Sequence, residues 1–120
     1  MRYLRIYTDN GKSKLEDVEV SAELREIVAG VPPVLVSAPA PVSQLVFVAQ
    51  PEGAADWERH VAPRRQWVVV LTGIGFVEVD GERRELGPGS IVFAEDTTGE
   101  GHLSGPVAPD FSFLMIPASD

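Results

Sequence analysis

The chain has 120 residues, 44% of them apolar, no cysteine, and 18 acidic against 10 basic side chains, for a net charge of −8. This length predicts one domain with its own core, and the lack of cysteine excludes a disulfide framework, a thiolate metal site and a Cys nucleophile. The acidity, with no Lys/Arg stripe interleaved with aromatics, argues against nucleic acid and anionic membrane as partners and reads as a solubility feature.

The opening MRYLRIYTDNGKSK has no apolar core of signal-peptide length, and no apolar run approaches the ~18 residues of a membrane span. A soluble, cytoplasmic protein is expected. RYLRIYT and KSKLEDVEV flank Asp9-Asn10-Gly11 and predict a hairpin, because Asn-Gly supplies the positive φ angles of a tight primed turn. Residues 21–30, SAELREIVAG, are the one helix candidate, with Ser21 as cap, Leu24, Ile27 and Val28 on one face, and Gly30 as terminator. A helix this short is marginal on its own. The proline-rich VPPVLVSAPAPVS lacks ladder donors at each proline, so it is expected to lie extended across the body and not to be a central strand.

From Gln44 onward the pattern is short strands: QLVFVAQ, QWVVVLTG, GFVEVDG, ERREL, SIVFAE, GHLS and DFSFLMIP. The turn signals PEG, TGIG, DG and GPG separate them, and this spacing predicts an antiparallel sandwich or barrel. One domain is expected, with 1–43 as hairpin and Pro-rich extension packed outside a barrel of 44–117. In QWVVVLT, alternation puts Gln66, Val68, Val70 and Thr72 on one face and Trp67, Val69 and Leu71 on the other. Both faces are apolar. The outer one must be covered by the chain's own N-terminal segments or by a second copy, so a homodimer is one expectation.

Two glycine- and histidine-bearing blocks stand out between Gly53 and His102. The first has Gly53, six intervening residues, His60, Ala62, Gln66 and, after six more, Gly73. The second has Gly89, the loop Glu95-Asp96-Thr97-Thr98, Gly99, His102 and Pro106, with fifteen residues between Gly73 and Gly89. They resemble the cupin motifs G-x5-H-x-H-x3,4-E-x6-G and G-x5-P-x-G-x2-H-x3-N. The departures are six residues in place of five before His60, Ala62 at the second His, Gln66 at the Glu, a loop two residues longer, and Pro106 at the Asn. HVAPRRQ and AEDTTGEGH also look like those of small single-barrel bacterial members.

The resemblance implies an all-β, antiparallel jelly-roll barrel (double-stranded β-helix) around a pocket for a low-molecular-weight organic ligand. Cupins typically hold iron, manganese, nickel or zinc on three imidazoles and a carboxylate, donors that suit borderline divalent ions. By that resemblance His60, Gln66 and His102 are the candidate metal ligands, and Glu95 or Asp96 is a possible source of the missing anion. Without metal, His60 and His102 are general acid/base candidates and Gln66 a hydrogen-bonding orienter. Arg64, on the inner alternation phase, can meet a substrate carboxylate, and Val68, Trp67 and Asp96 are further candidate substrate contacts. Plain structural readings stand beside these. His60 can be a satisfied His at a Pro turn, Arg64 and Arg65 a solvated pair, Trp57 and Trp67 packing residues, and Glu95 and Asp96 loop acids. Three functions follow: an oxygenase or isomerase with a weak metal site, a metal-free tailoring cyclase or isomerase, or a non-enzymatic small-molecule binder.

Overall fold

The structure, a computed structural model, describes residues 1–51, 53, 54 and 58–119; Trp57 lies outside the described residues. All of its regular elements are strands. Among the described residues no helix is long and apolar enough to cross a membrane.

β1 (Arg2–Asp9) and β2 (Lys12–Glu19) form the expected hairpin, with Asn10 at φ 52° and Gly11 at φ 77°. β1 alternates, with Leu4 and Ile6 buried. This hairpin corrects one expectation, because it does not lie outside a barrel. β1 runs parallel to β9 (Ile91–Ala94), pairing Leu4 with Val92 and Ile6 with Ala94, so the N-terminus is part of the main sheet. The burial of Leu4 and Ile6 is what draws it in.

A second correction concerns residues 21–30, which form no helix. Ala22–Arg25 is β3 and pairs antiparallel with β4 (Val34–Ser37), taken from the Pro-rich stretch. Leu24, Ile27 and Val28 are all exposed. The apolar stripe that would hold a short amphipathic helix therefore has no surface to dock on, and a marginal helix without docking does not persist. The prolines confine β4 to a two-stranded sheet, as their missing donors require. The end of this stretch is tied to the body, with Val42 bridging Ala118 and Ser43 N–H bonding the Pro117 carbonyl.

The remaining strands fall where the apolar runs predict them. They are β5 (Val46–Gln50), β6 (Gln66–Thr72), β7 (Gly75–Val79), β8 (Glu82–Leu86), β10 (Leu103–Pro106) and β11 (Phe111–Pro117). Strands β2-β1-β9-β6-β11-β5 make one six-stranded sheet and β10-β7-β8 a three-stranded one. The sheets face each other across two apolar clusters. Leu4, Ile6, Val92 and Ala94 meet Val77 in one, while Val70, Phe111 and Phe113 pack with Leu86 in the other. Gly75 is required here, because a Cβ would run into the Phe111 ring.

Candidate functional site

The two histidines, 42 positions apart in the chain, are direct partners in an isolated antiparallel bridge. His60 N–H donates to the His102 carbonyl at 3.0 Å, and His102 N–H donates to the His60 carbonyl at 2.9 Å. Their rings lie 5.0 Å apart between centroids. The approach depends on Gly101, at φ 84°, where a Cβ would collide with the His60 carbonyl group. Next along the chain Ala62 is buried, and its N–H bonds the Asp96 carbonyl at 3.0 Å.

His102 is buried and His60 exposed. His102 Nδ1 donates to Asp96 Oδ2 at 2.6 Å, and Ser13 Oγ donates to the same oxygen at 2.5 Å. Asp96 is fully buried. A short bond donated to a buried carboxylate holds the imidazole in one orientation and places its proton on Nδ1. The other oxygen, Oδ1, is buried without a hydrogen-bond partner. His60 Nδ1 lies 3.2 Å from the Val61 carbonyl.

Both histidines line a partly open cavity of about 330 Å³ between the two sheets. Its walls are mainly apolar, with Val68 and Val70 from β6, Phe76 from β7, and Phe111, Phe113 and Met115 from β11. Gln50, Gln66 and Ser104 add polar groups, and no Asp, Glu, Lys or Arg among the described residues lines it. The Gln50 side-chain oxygen is buried and has no hydrogen-bond partner, an acceptor left open beside the cavity.

The structure therefore brings His60, Gln66, Val68 and His102 to one cavity, with Asp96 directly behind His102. Two candidates lie elsewhere. Arg64 is exposed and does not line the cavity. Trp67 points to the opposite sheet face, where its ring packs 4.8 Å from Tyr3 and 4.4 Å from Phe93, with Arg65 over the Phe93 ring. The N-terminal hairpin thus helps cover the outer face. Glu95, the other loop acid, pairs with Arg5 at 2.8 Å. Asp96 is aimed at His102 Nδ1, so it serves as a partner of that imidazole, while Thr97 and Thr98 are exposed in the loop.

Ser13 and Gln50 are the residues that sequence reasoning missed. Ser13 sits between two lysines in a hairpin strand, and its contact with Asp96 spans 83 positions. Gln50 closes an apolar strand in phase with Val48, a weak cue that it faces inward. No protein-family model matches the chain, and no curated protein matches it.

Proposed function

We propose that this chain is a small enzyme of the cupin type, a jelly-roll barrel whose pocket moves a proton on an uncharged, largely apolar small molecule. The observation that carries the reading is the 2.6 Å bond from His102 Nδ1 to fully buried Asp96, made by a side chain that lines the cavity. With its proton on Nδ1, the imidazole has its lone pair on Nε2, the arrangement of a general base backed by a carboxylate. The meeting of the two motif blocks at the His60–His102 bridge supports the family reading.

The chemistry follows from the lining. His102 takes a proton from a carbon or hydroxyl beside a substrate carbonyl, and Asp96 stabilises the imidazolium that forms. The Gln66 amide donates to the oxygen on which charge gathers. The proton returns at a second position, from His102 or from His60. One X–H bond breaks and another forms, so the step is a redox-neutral isomerisation, and a ring closure initiated by the same proton abstraction is the near variant. The absence of charged groups from the described lining favours a neutral substrate, and the open Gln50 oxygen favours one that carries a hydroxyl or N–H donor.

A second reading uses the same residues. A divalent ion at His60, His102 and Gln66 is favoured by the Asp96 bond, since carboxylates on the far nitrogen commonly orient metal-bound imidazoles. No group of three or more His, Cys, Asp or Glu side chains among the described residues is arranged to hold an ion, so it would rest on two imidazoles and an amide.

The test is deuterium exchange. Untagged protein is incubated in heavy water with a panel of small aromatic ketones, and loss of the protons next to the carbonyl is followed by NMR. Wild type should exchange at least one of them about 10²-fold or more faster than His102→Gln. Equal rates for the two proteins on every ketone would remove the proton-transfer reading. Stoichiometric iron, manganese, nickel or zinc in wild type that is lost in His102→Ala supports the second reading. Saturable binding of a ketone without exchange supports a binding module.

A further inference from the structure

The two side-chain amides of the cavity stand at opposite ends of one wall. On β11, Pro117 is in register with Gln66 and Phe111 with Gln50. Strand spacing of about 3.4 Å per residue separates those two levels by roughly 20 Å. Gln66 belongs to the histidine end, because it pairs with Ala94, two residues before the Asp96 that holds His102. The pairs Val68–Met115 and Val70–Phe113 occupy the levels between, so this wall is apolar from one amide to the other.

The two ends also differ in access. At one, His60 lines the cavity and is exposed. At the other, Phe111 is buried and its ring lies against Gly75, where a Cβ would strike it. Beside that ring the Gln50 oxygen is buried with no hydrogen-bond partner. A buried acceptor left open costs free energy that a ligand's donor recovers. A pocket built to bond such a donor rejects analogues that lack it.

We propose that the substrate is an elongated molecule with two polar ends, a carbonyl held at Gln66 and the histidines and a neutral hydroxyl or N–H donor bonded to Gln50 at the inner end. The proposal rests on the reading of this cavity as the reaction pocket and adds the shape of what enters it. The two glutamine side chains take up part of the span, which leaves about 10–15 Å between carbonyl and donor. Gln50 is then a specificity-determining residue far from the reacting atoms. A molecule anchored there presents a carbonyl to His102 only if its apolar body has the matching length. An ammonium is disfavoured at that end, because no charged side chain among the described lining residues compensates it.

Calorimetry on the full chain with a ladder of aryl methyl ketones tests the proposal. Each ketone carries a para chain ending in hydroxyl, methyl or ammonium, with reaches below, within and above that span. Within the span the hydroxyl end should bind about tenfold more tightly than the matching methyl end, and the ammonium end more weakly than the hydroxyl. Gln50→Leu, with circular dichroism like that of wild type, should bring hydroxyl and methyl ends level. The proposal is overturned by a hydroxyl advantage that is absent at every length, is largest for the shortest chains or survives Gln50→Leu, and equally by wild type that binds none of the ketones. Deuterium exchange on the same ketones separates the two readings. Exchange that depends on His102 without any end preference keeps the proton-transfer reading and removes this one, while a preference that depends on Gln50 without exchange does the reverse.

Discussion

Replacing Asp96 by Asn changes almost nothing in shape and a great deal in chemistry. The carboxylate accepts from His102 Nδ1 at 2.6 Å and from Ser13 Oγ at 2.5 Å in a site with no solvent exposure. Both donors share one oxygen, so an amide with its own oxygen there leaves its NH₂ buried without an acceptor, whereas with its NH₂ there it donates to Ser13 Oγ and demands a lone pair on Nδ1. The ring proton then moves to Nε2, and the base is lost. A charge-assisted bond is worth about 1.5–3 kcal/mol, and the amide recovers part of it, so a net loss of ~1–3 kcal/mol is expected. For a domain of this size that corresponds to a melting temperature lower by roughly 4–12 °C. The decisive assay requires no substrate. Long-range proton–nitrogen NMR on a protein with two histidines reports which ring nitrogen carries hydrogen. In wild type at neutral pH His102 should carry it on Nδ1, and in Asp96→Asn on Nε2, with ketone exchange falling by a factor on the order of 10⁴, as for the same change in a serine-protease triad. An unchanged tautomer together with an unchanged melting temperature would refute the idea that Asp96 governs this imidazole.

Gln50→Leu removes a buried oxygen that has no partner. It should raise thermal stability by about 1 kcal/mol while weakening ligands that carry a hydroxyl or N–H donor, read by calorimetry against a ligand lacking the donor. Gly101→Ala forces a Cβ into the His60 carbonyl at a φ of 84°. It should cost ~2 kcal/mol or more and free the slowly exchanging amides of His60 and His102, seen by hydrogen exchange. Acid should destabilise the fold gently. Asp17, Glu19 and Asp80 are held below the usual carboxylate range by hydrogen bonds from Arg84, Arg2 and Lys12. Their contribution is therefore present above about pH 4 and lost as pH falls through the lower folded-state values. These groups are exposed, so melts from pH 7 to pH 2 should show a shallow decline that is smaller still in high salt.

How legible the molecule was depends on the range of the forces involved. The hairpin at Asn10-Gly11 and the strands from β5 onward were readable because local dihedrals and period-two alternation are written in adjacent residues. The inward phase of Gln66 and Val68 came from the same alternation, and so did the outward phase of Trp67 that removes it from the pocket. Residues 21–30 misled for the complementary reason. Leu24, Ile27 and Val28 have helical spacing, but spacing predicts a helix only when a surface receives the stripe, and here those side chains meet solvent. The Ser13–Asp96 contact has no local signature, since it exists only once β1 has joined β9 and carried the hairpin under the loop.

At Ala62 the site differs from the ligand pattern that the spacing suggests. Its position is the one that would hold the middle imidazole on the proposed family reading. Here the side chain is 3% exposed and packs with Leu4, Ile6, Val77, Val92 and Ala94. The place where that reading would put a third donor is part of the core. The nearest spare carboxylate, Asp96, is committed to His102 and Ser13 behind the cavity wall. The placement of the two histidines is set by two backbone hydrogen bonds and by Gly101. Those bonds hold the two residues side by side, and the Asp96 bond orients the His102 ring, whose centroid lies 5.0 Å from that of His60. Proton transfer needs that kind of preorganisation from its groups, since an acid and a base must already be in place when charge develops.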